Sequence, residues 1–250
     1  MTDEQNEVLM KGSELRARFN TDGPAVFPVI HAVDTDQVLA NIRCAMNYST
    51  AGVFLINHDF GPRELLPIIA HSRDAFPDAW MGINFLGVNL DHALPDIMEL
   101  EQAGCTLDGY WADDARIDER RGIDDQPEAR LIAEARECWG GLYFGGTAFK
   151  KQRPVAEEHY AESARIAAQW TDVVTTSGVA TGQEAGDTKM RVFREAAGEA
   201  ALGLASGVTP DNVAIYSRYV DAILVATGIN YHGDFYNIDP ARLGALMENI

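Results

Sequence analysis

Short apolar runs alternate with amphipathic segments along most of the chain. The first run covers residues 25–32, and the segment after Asp34 carries apolar side chains at helical spacing, which predicts a strand followed by a helix. The apolar residues of this helical stripe are Val38, Leu39, Ile42 and Met46. Because Asp34 stands immediately before the stripe, its side chain is predicted to cap the helix.

The same unit of strand and helix recurs seven more times. The further predicted strands are residues 52–57, 80–86, 106–111, 142–149, 172–176, 201–205 and 221–226. The helices predicted after them are residues 62–76, 91–103, 126–139, 157–170, a helix starting at about 187, 209–219 and 240–247. Pro62 suits a first helical turn, and Gly104 suits the residue that ends a helix.

Eight such units in 250 residues match the size and order of a (β/α)8 barrel, whose strands are buried on both faces and read as continuous apolar runs. We therefore predict an α/β protein with a TIM-barrel fold, in which residues 1–22 form a short polar extension and residues 23–250 a single barrel domain. A doubly wound open sheet is the alternative. Such a sheet binds its ligand at one switch point, whereas polar residues follow nearly every predicted strand here, which favours the barrel.

In a barrel the active site forms at the C-terminal ends of the strands, so the polar residues that end each predicted run are the candidates for chemistry. In chain order they are His31, Asn57-His58-Asp59, Asn84, Asp113-Asp114, Lys150, Thr176-Ser177-Gly178, Ser206-Gly207 and Thr227-Gly228. The sequence thus predicts one polar site at this end of the barrel.

Residues 205–213, ASGVTPDNV, form the clearest single motif: a strand, a glycine turn, and a helix predicted to start with Thr209 as its cap and Pro210 in its first turn. The N-terminus of such a helix attracts anions. Together with Thr227-Gly228 one unit later, the motif resembles the phosphate site that barrels build from the loops after strands seven and eight. The alternative is that these glycines only form turns and caps.

A second glycine-rich stretch covers residues 175–186, TTSGVATGQEAG, and lacks the GxxxxGK[ST] pattern of a P-loop. Its glycines allow backbone N–H groups to approach a ligand, and we predict that Ser177 and Gly178 contact substrate. Its length suits a loop that closes over a ligand. A flexible connector is the alternative.

Three side chains are candidates for catalysis. Lys150 ends a mostly apolar run and suits an anion partner, an acid or base, or a Schiff-base amine; since side chains alternate along a strand, at most one of Lys150 and Lys151 points inward. His31 titrates near neutral pH and suits acid–base work. Asp113, beside Asp114, suits a sugar hydroxyl or a divalent cation. The alternatives are a solvated lysine and a solvated pair of carboxylates in the acidic stretch 113–125. That stretch is either a solvated excursion or a lid.

Composition narrows the class of partner. The chain is 46% hydrophobic and 23% charged, as is typical of soluble globular proteins, and its 38 acidic and 20 basic side chains give a net charge of −18. Nucleic acid and anionic membranes are repelled by this charge, whereas a small anion can still bind local backbone N–H groups. Cys44, Cys105 and Cys138 fit neither a disulfide framework nor a common zinc site. We expect a cytoplasmic protein without an export signal or a membrane span.

Six features together resemble the BtpA family in order and spacing. They are INHD after the second strand, MGINFLGVN around the third, Lys150, TTSGVATG, ASGVTPDNV and ATGINYHGDFYNIDPARL. The resemblance extends over most of the chain from about residue 25 and implies a phosphate-binding TIM barrel related to the ribulose-phosphate-binding group. It also implies a phosphate loop and a set of polar strand ends. The phosphate-loop positions are Ser206, Gly207, Asn212, Thr227 and Gly228, and the polar strand ends are Asn57, Asn84 and Lys150.

The chain departs from the family's pattern at two places. An Arg is expected at the end of the fourth strand, where this chain has Tyr110-Trp111-Ala112-Asp113, and the loop after the second strand carries His58. Substrate contacts are therefore expected to differ. The family is named for a member tied to photosystem I biogenesis, and that role is not carried over, because the shared parts are those of a barrel site.

The first hypothesis is an enzyme that acts on a phosphorylated sugar or nucleotide-like metabolite, with isomerase, lyase or phosphoribosyl-type chemistry. Its catalytic residues would be Lys150, Asp113 and His31, with Asn57, Asn84, Ser177 and Gly178 as further substrate contacts. The second is a non-catalytic assembly or regulatory protein, and the third a metal-dependent hydrolase built on residues 57–59 and Asp113. No metal site or cofactor is predicted, although a divalent cation stays open, as does a homo-oligomer.

Overall fold

Eight parallel strands close into a barrel in chain order. The structure, a computed structural model, describes residues 8–178 and 185–250. The strands are β1 Ala25–Ala32, β2 Val53–Asn57, β3 Met81–Asn84, β4 Gly109–Ala112, β5 Leu142–Gly146, β6 Val173–Thr176, β7 Ala201–Ala205 and β8 Ala222–Val225. β1 closes the barrel because it pairs with both β2 and β8. The predicted α/β class and (β/α)8 barrel are confirmed.

Helices connect successive strands on the outside of the barrel. They are α1 Gly12–Arg18, α2 Thr35–Met46, α3 Pro62–Ala75, α4 Leu90–Gln102, α5 Pro127–Ala135, α6 Tyr160–Trp170, α7 Asp187–Ala197, α8 Val213–Tyr216 and α9 Pro240–Glu248. The predicted cap of α2 is confirmed, since the Asp34 side chain accepts a hydrogen bond of 2.8 Å from the Gln37 backbone N–H. Gly104, with a φ of 83°, ends α4 as predicted. No helix among the described residues is long and apolar enough to cross a membrane.

Two predicted elements are shorter than expected. β5 ends at Gly146 rather than at residue 149, because Ala148 adopts a left-handed φ of 46° and turns the chain away from the barrel. The helix predicted over 209–219 is the four-residue α8, and Thr209 does not cap it. The Asn212 side chain donates 2.8 Å to the Gly207 carbonyl and accepts 2.8 Å from the Thr209 N–H, which holds residues 207–212 in a turn. The helix therefore begins at Val213 rather than after Thr209 and has only four residues.

The core has two layers, one inside the barrel and one between the barrel and its helices. Inside, Phe27, Phe54 and Phe144 meet edge to face, with ring centroids 5.1 to 5.7 Å apart. Successive residues of a strand alternate between the two layers. His31 therefore shares the inner face of β1 with Phe27, whereas Asn57 shares the outer face of β2 with Leu55.

The segment 8–22, predicted to be a polar extension, covers the N-terminal end of the barrel. Leu15 of α1 is fully buried and packs into the inner layer, and the Phe19 ring lies 5.1 Å from that of Phe27. The Gly12 N–H donates 2.9 Å to the Glu199 carbonyl, and Arg16 and Arg194 both pair with the buried Asp221. Apolar side chains of this segment therefore close the barrel interior at its N-terminal end.

Candidate functional site

A small cavity lies at the C-terminal end of the barrel, between the loops after β7 and β8 on one side and β1, β4 and the loop after β5 on the other. Ser206, Gly207, Thr227 and Gly228 line the first side, and His31, Trp111 and Lys150 line the second. The cavity has a volume of about 40 Å³, which is room for about three water molecules or one small oxyanion. Six residues that the sequence predicted for the site therefore meet here.

The loops after β7 and β8 are packed against each other without spare room. A Cβ on Gly228 would lie 1.9 Å from the Val208 carbonyl oxygen, so only glycine fits. Gly207 has a φ of 75°, and Ser206 has a φ of 121°, which a serine rarely adopts. Such strain at a cavity is typical of residues whose position serves a ligand.

His31 contributes a neutral imidazole with a fixed tautomer. Its Nδ1 lies 2.9 Å from the Phe235 carbonyl oxygen, and because a carbonyl only accepts, Nδ1 carries the proton and Nε2 is left as an acceptor. The Phe235 ring stacks on the imidazole at 3.8 Å. Burial, with smaller contributions from His58 and Lys150, lowers the pKa of His31 to about 4. The ring is therefore uncharged at neutral pH.

Asp113 and Asn84 form a buried polar pair beside the cavity. Asn84 Nδ2 lies 3.4 Å from Asp113 Oδ1, at the long end of a hydrogen bond. Asp113 Oδ2 and Asn84 Oδ1 are buried and have no hydrogen-bond partner among the described residues. Burial raises the pKa of Asp113, against the opposing charges of Lys151 and Lys150. The carboxyl group is thus disposed to hold a proton and to donate it.

Lys150 lies in the loop after β5, four residues beyond the strand rather than at its end. Its backbone N–H donates 3.0 Å to Ser177 Oγ, while its Nζ makes no hydrogen bond or ion pair with any described residue. Burial lowers the pKa of Lys150, and the nearby Asp113 opposes this effect. Lys150 lines the cavity and Lys151 is exposed, and a turn rather than strand alternation separates them. The charges of both lysines lower the pKa of Asp113, against the larger effect of burial.

Trp111 was not predicted as a site residue. It lies two residues before Asp113, on the same inner face of β4, and this spacing was the signal available in the sequence. Its ring lines the cavity, and its Nε1 is buried with no hydrogen-bond partner among the described residues. An indole N–H can only donate, so it offers a bond to an oxygen atom of a ligand.

The remaining predicted residues lie around this cavity or apart from it. Asn57, on the outer face, donates 2.7 Å to the Phe60 carbonyl and accepts 3.0 Å from the Leu86 N–H, so its amide holds two loops together. Asn212 likewise holds the turn before α8. Ser177 is buried and donates 2.8 Å to the carbonyl of Gly178. Most of the predicted closing loop, residues 179–184, lies outside the described residues.

The acidic stretch 113–125 is tied down by side-chain contacts. Gln126 is buried, and its side-chain amide makes two hydrogen bonds with the backbone of Asp118. Its Oε1 accepts a bond of 2.7 Å from the Asp118 N–H, and its Nε2 donates a bond of 2.9 Å to the Asp118 carbonyl. Arg153 pairs with the buried Glu119 at 2.5 Å. These contacts show a packed segment and contradict the solvated excursion, one of the two predicted alternatives. In the part of the chain that the structure describes, no three His, Cys, Asp or Glu side chains are grouped as a metal site.

A closed parallel barrel with its polar cavity at the C-terminal ends of the strands defines the class of (β/α)8 barrels. Two phosphoribosyl anthranilate isomerases are similar in structure. The one from Thermococcus kodakaraensis has a TM-score of 0.63 and 15% sequence identity, and the match covers 90% of this chain and 98% of that protein. The one from Thermus thermophilus has a TM-score of 0.58 and 12% sequence identity, and the match covers 90% of this chain and 96% of that protein. A structure described as native KDPGal has a TM-score of 0.61 and 14% identity over 90% and 93%. No family model and no curated protein sequence matches the chain. At these identities the similarity establishes the barrel fold.

Proposed function

We propose that the protein is an enzyme acting on a phosphorylated sugar or nucleotide-like metabolite, whose phosphate binds between the loops after β7 and β8. The observation that carries the proposal is the oxyanion-sized cavity that Ser206 and Gly228 line opposite Lys150. In many barrels these same two loops bind phosphate. A lysine ammonium beside the cavity supplies positive charge in a chain whose net charge is −18.

The reacting part of the substrate would lie over His31, Asp113 and Lys150. Burial lowers the pKa of His31 and raises that of Asp113, so it shifts the first group toward a neutral base with a free Nε2 and the second toward its protonated form. His31 Nε2 would accept a proton from a hydroxyl or an activated C–H group, and Asp113 would donate one to a developing oxyanion. Isomerase, lyase or phosphoribosyl-type chemistry needs this combination of proton acceptor, proton donor and anion site.

Two further observations support the proposal. The names of the two similar isomerases contain a phosphoribosyl compound, and these proteins share the barrel and its closed topology. Three of the features that resemble the BtpA family also meet at this cavity, since Lys150, Ser206 and Thr227 line it. We therefore infer a BtpA-like, phosphate-binding barrel.

The test is a thermal-shift screen with inorganic phosphate, sugar phosphates and nucleotides on the wild type and on Ser206→Asp, which places a like charge at the expected anion position. Ser49→Asp is the matched control, because Ser49 also has a positive φ, of 54°, but is exposed in the loop after α2. Ligand binding raises Tm by mass action. We expect sugar phosphates to stabilise the wild type and Ser49→Asp but not Ser206→Asp. An equal response of all three proteins, or no response, would refute the site and favour a non-catalytic assembly or regulatory protein.

A further inference from the structure

Lys189 of α7 connects the loop after β5 with the loop after β6. Its Nζ donates 2.6 Å to the Ala148 carbonyl, in the loop after β5, and 2.7 Å to the Ser177 carbonyl, in the loop after β6. The same two loops are also joined by the hydrogen bond from the Lys150 N–H to Ser177 Oγ. The ammonium group of Lys189 therefore lies at the base of the turn that carries Lys150.

The position of Lys189 is unfavourable for α7 itself. The residue is in the first turn of the helix, where the helix dipole disfavours a positive charge. Burial lowers the pKa of Lys189 to about 8, so burial also disfavours the charged form of its amine. The two carbonyl oxygens and the rings of Tyr160 and Phe193, 5.1 and 5.5 Å away, are the groups that favour the ammonium form. What Lys189 stabilises is thus the pair of loops rather than its own helix.

Ala148, in the turn that carries Lys150, has a strained backbone conformation. It has a φ of 46°, in the left-handed region that favours glycine, so its conformation depends on the surrounding contacts. Its carbonyl oxygen accepts the Lys189 bond and a weaker contact of 3.5 Å from Thr176 Oγ1. Without the ammonium group this carbonyl would lose the shorter of its two contacts, and the strained turn two residues before Lys150 would lose a constraint on its conformation.

We propose that Lys189 is a positioning residue that fixes Lys150 in the cavity by binding the carbonyls of Ala148 and Ser177. Its importance for catalysis rests on the proposed function of Lys150. The positioning itself does not, because the burial of the Lys150 amine can be measured without any substrate.

The experiment is competitive acylation of the amines with acetic anhydride over a range of pH, with Lys150 and Lys151 quantified separately by peptide mass spectrometry. In the wild type the half-point for Lys150 is expected below the ordinary lysine value of 10.5, because the amine is buried. In Lys189→Met we expect this half-point to move up toward 10.5 and the maximal rate of labelling to rise, since the amine enters solvent. The exposed Lys151 provides the internal reference for rate.

Two control variants separate positioning from general destabilisation. Lys189→Arg keeps the charge and several N–H donors, so it is expected to retain the wild-type half-point. Leu15→Ala lowers stability at the opposite end of the barrel and is expected to leave Lys150 unchanged. If Lys189→Met does not fold, as judged by circular dichroism, Lys189→Gln replaces it, with a shift in the same direction expected. A wild-type half-point for Lys150 in a folded Lys189→Met or Lys189→Gln protein would overturn the proposal, whatever the outcome of the phosphate screen.

Discussion

The Nδ1 atom of His31 lies 2.9 Å from the carbonyl oxygen of Phe235, 204 residues further along the chain. The two rings also stack, with centroids 3.8 Å apart. The hydrogen bond selects the tautomer and the stacking excludes water, so the long loop after β8 determines the protonation state of a side chain on β1. The chemical character of the site thus depends on a contact between the two ends of the barrel sequence.

This contact predicts a specific pH dependence of stability. The native pKa of His31 is about 4 and the ordinary value is 6.5, so between these values the unfolded chain binds a proton that the native chain does not. The free energy of unfolding therefore falls as the pH decreases through this window, by up to about 3 kcal/mol. Urea unfolding at several pH values measures the effect.

His31→Asn is the informative variant, because Asn Nδ2 can replace the Nδ1 donor but does not titrate. The variant is expected to lose less stability than the wild type between about pH 7 and pH 5. His71→Asn, at an exposed position of α3, is the control and should retain the wild-type slope. An identical slope in His31→Asn would show that the imidazole is not held neutral.

Gly228→Ala is expected to destabilise the loops of the cavity and to abolish anion binding. The added Cβ would lie 1.9 Å from the Val208 carbonyl oxygen, so the backbone of one loop must move. Such overpacking costs about 2 kcal/mol. Chemical denaturation and the phosphate-induced change in Tm measure the two effects. Gly140→Ala, where a Cβ meets no atom within 4 Å, should keep wild-type stability and binding.

Asp113→Asn is expected to raise stability at neutral pH while it removes activity. The native pKa of Asp113 lies above the ordinary 3.8, so the stability associated with this group is lost as the pH rises from 3.8 through the native pKa. An amide has no charge to bury, and the gain is expected to be about 1 kcal/mol at neutral pH. Under the proposed function, turnover should fall by about 100-fold or more, since the proton donor is gone. A variant that is less stable than the wild type at neutral pH would contradict the burial of this carboxyl group.

Leu15→Ala is expected to cost about 3 kcal/mol of unfolding free energy, because it creates a cavity under the barrel. Leu9→Ala is the matched control, since the Leu9 side chain is 52% exposed, and its effect should stay within about 0.5 kcal/mol. Phosphate-induced stabilisation should be unchanged in both variants, as the cavity is at the other end. Equal stability of the two variants would mean that α1 is dispensable.

The fold was predictable from the sequence because its signals are local. The eight apolar runs lie within single segments, and the Asp34 cap acts over three residues. The predicted bounds of strands and helices are wrong where contacts between residues distant in the sequence determine the local conformation. The apolar run after Leu142 continues to Phe149, but the chain turns at Ala148, which is held by Lys189 of α7. The helix expected from Thr209 does not form, because the Asn212 side chain binds the backbone of Gly207 and Thr209 and holds these residues in a turn.

The site was predictable in outline and not in its details. Strand ends indicated His31, Asp113 and Lys150, since a barrel gathers its strand ends at one face. Phe235 and Lys189, which set the state of two of these side chains, could not be found, because their partners are residues far away in the sequence. β2 ends at Asn57 as predicted, but its apolar run VFLI does not indicate which face points inward, so the outward orientation of Asn57 could not be predicted.

The closure of the barrel by Leu15 and Phe19 has a kinetic consequence. In the part of the chain that the structure describes, apolar side chains fill one end of the barrel interior, and the cavity beside Lys150 lies at the other end, among the loops after the strands. Under the proposed function, substrate arrives and product departs through the same entrance. The two must therefore exclude one another, so added product should raise the apparent KM and leave kcat unchanged at saturating substrate.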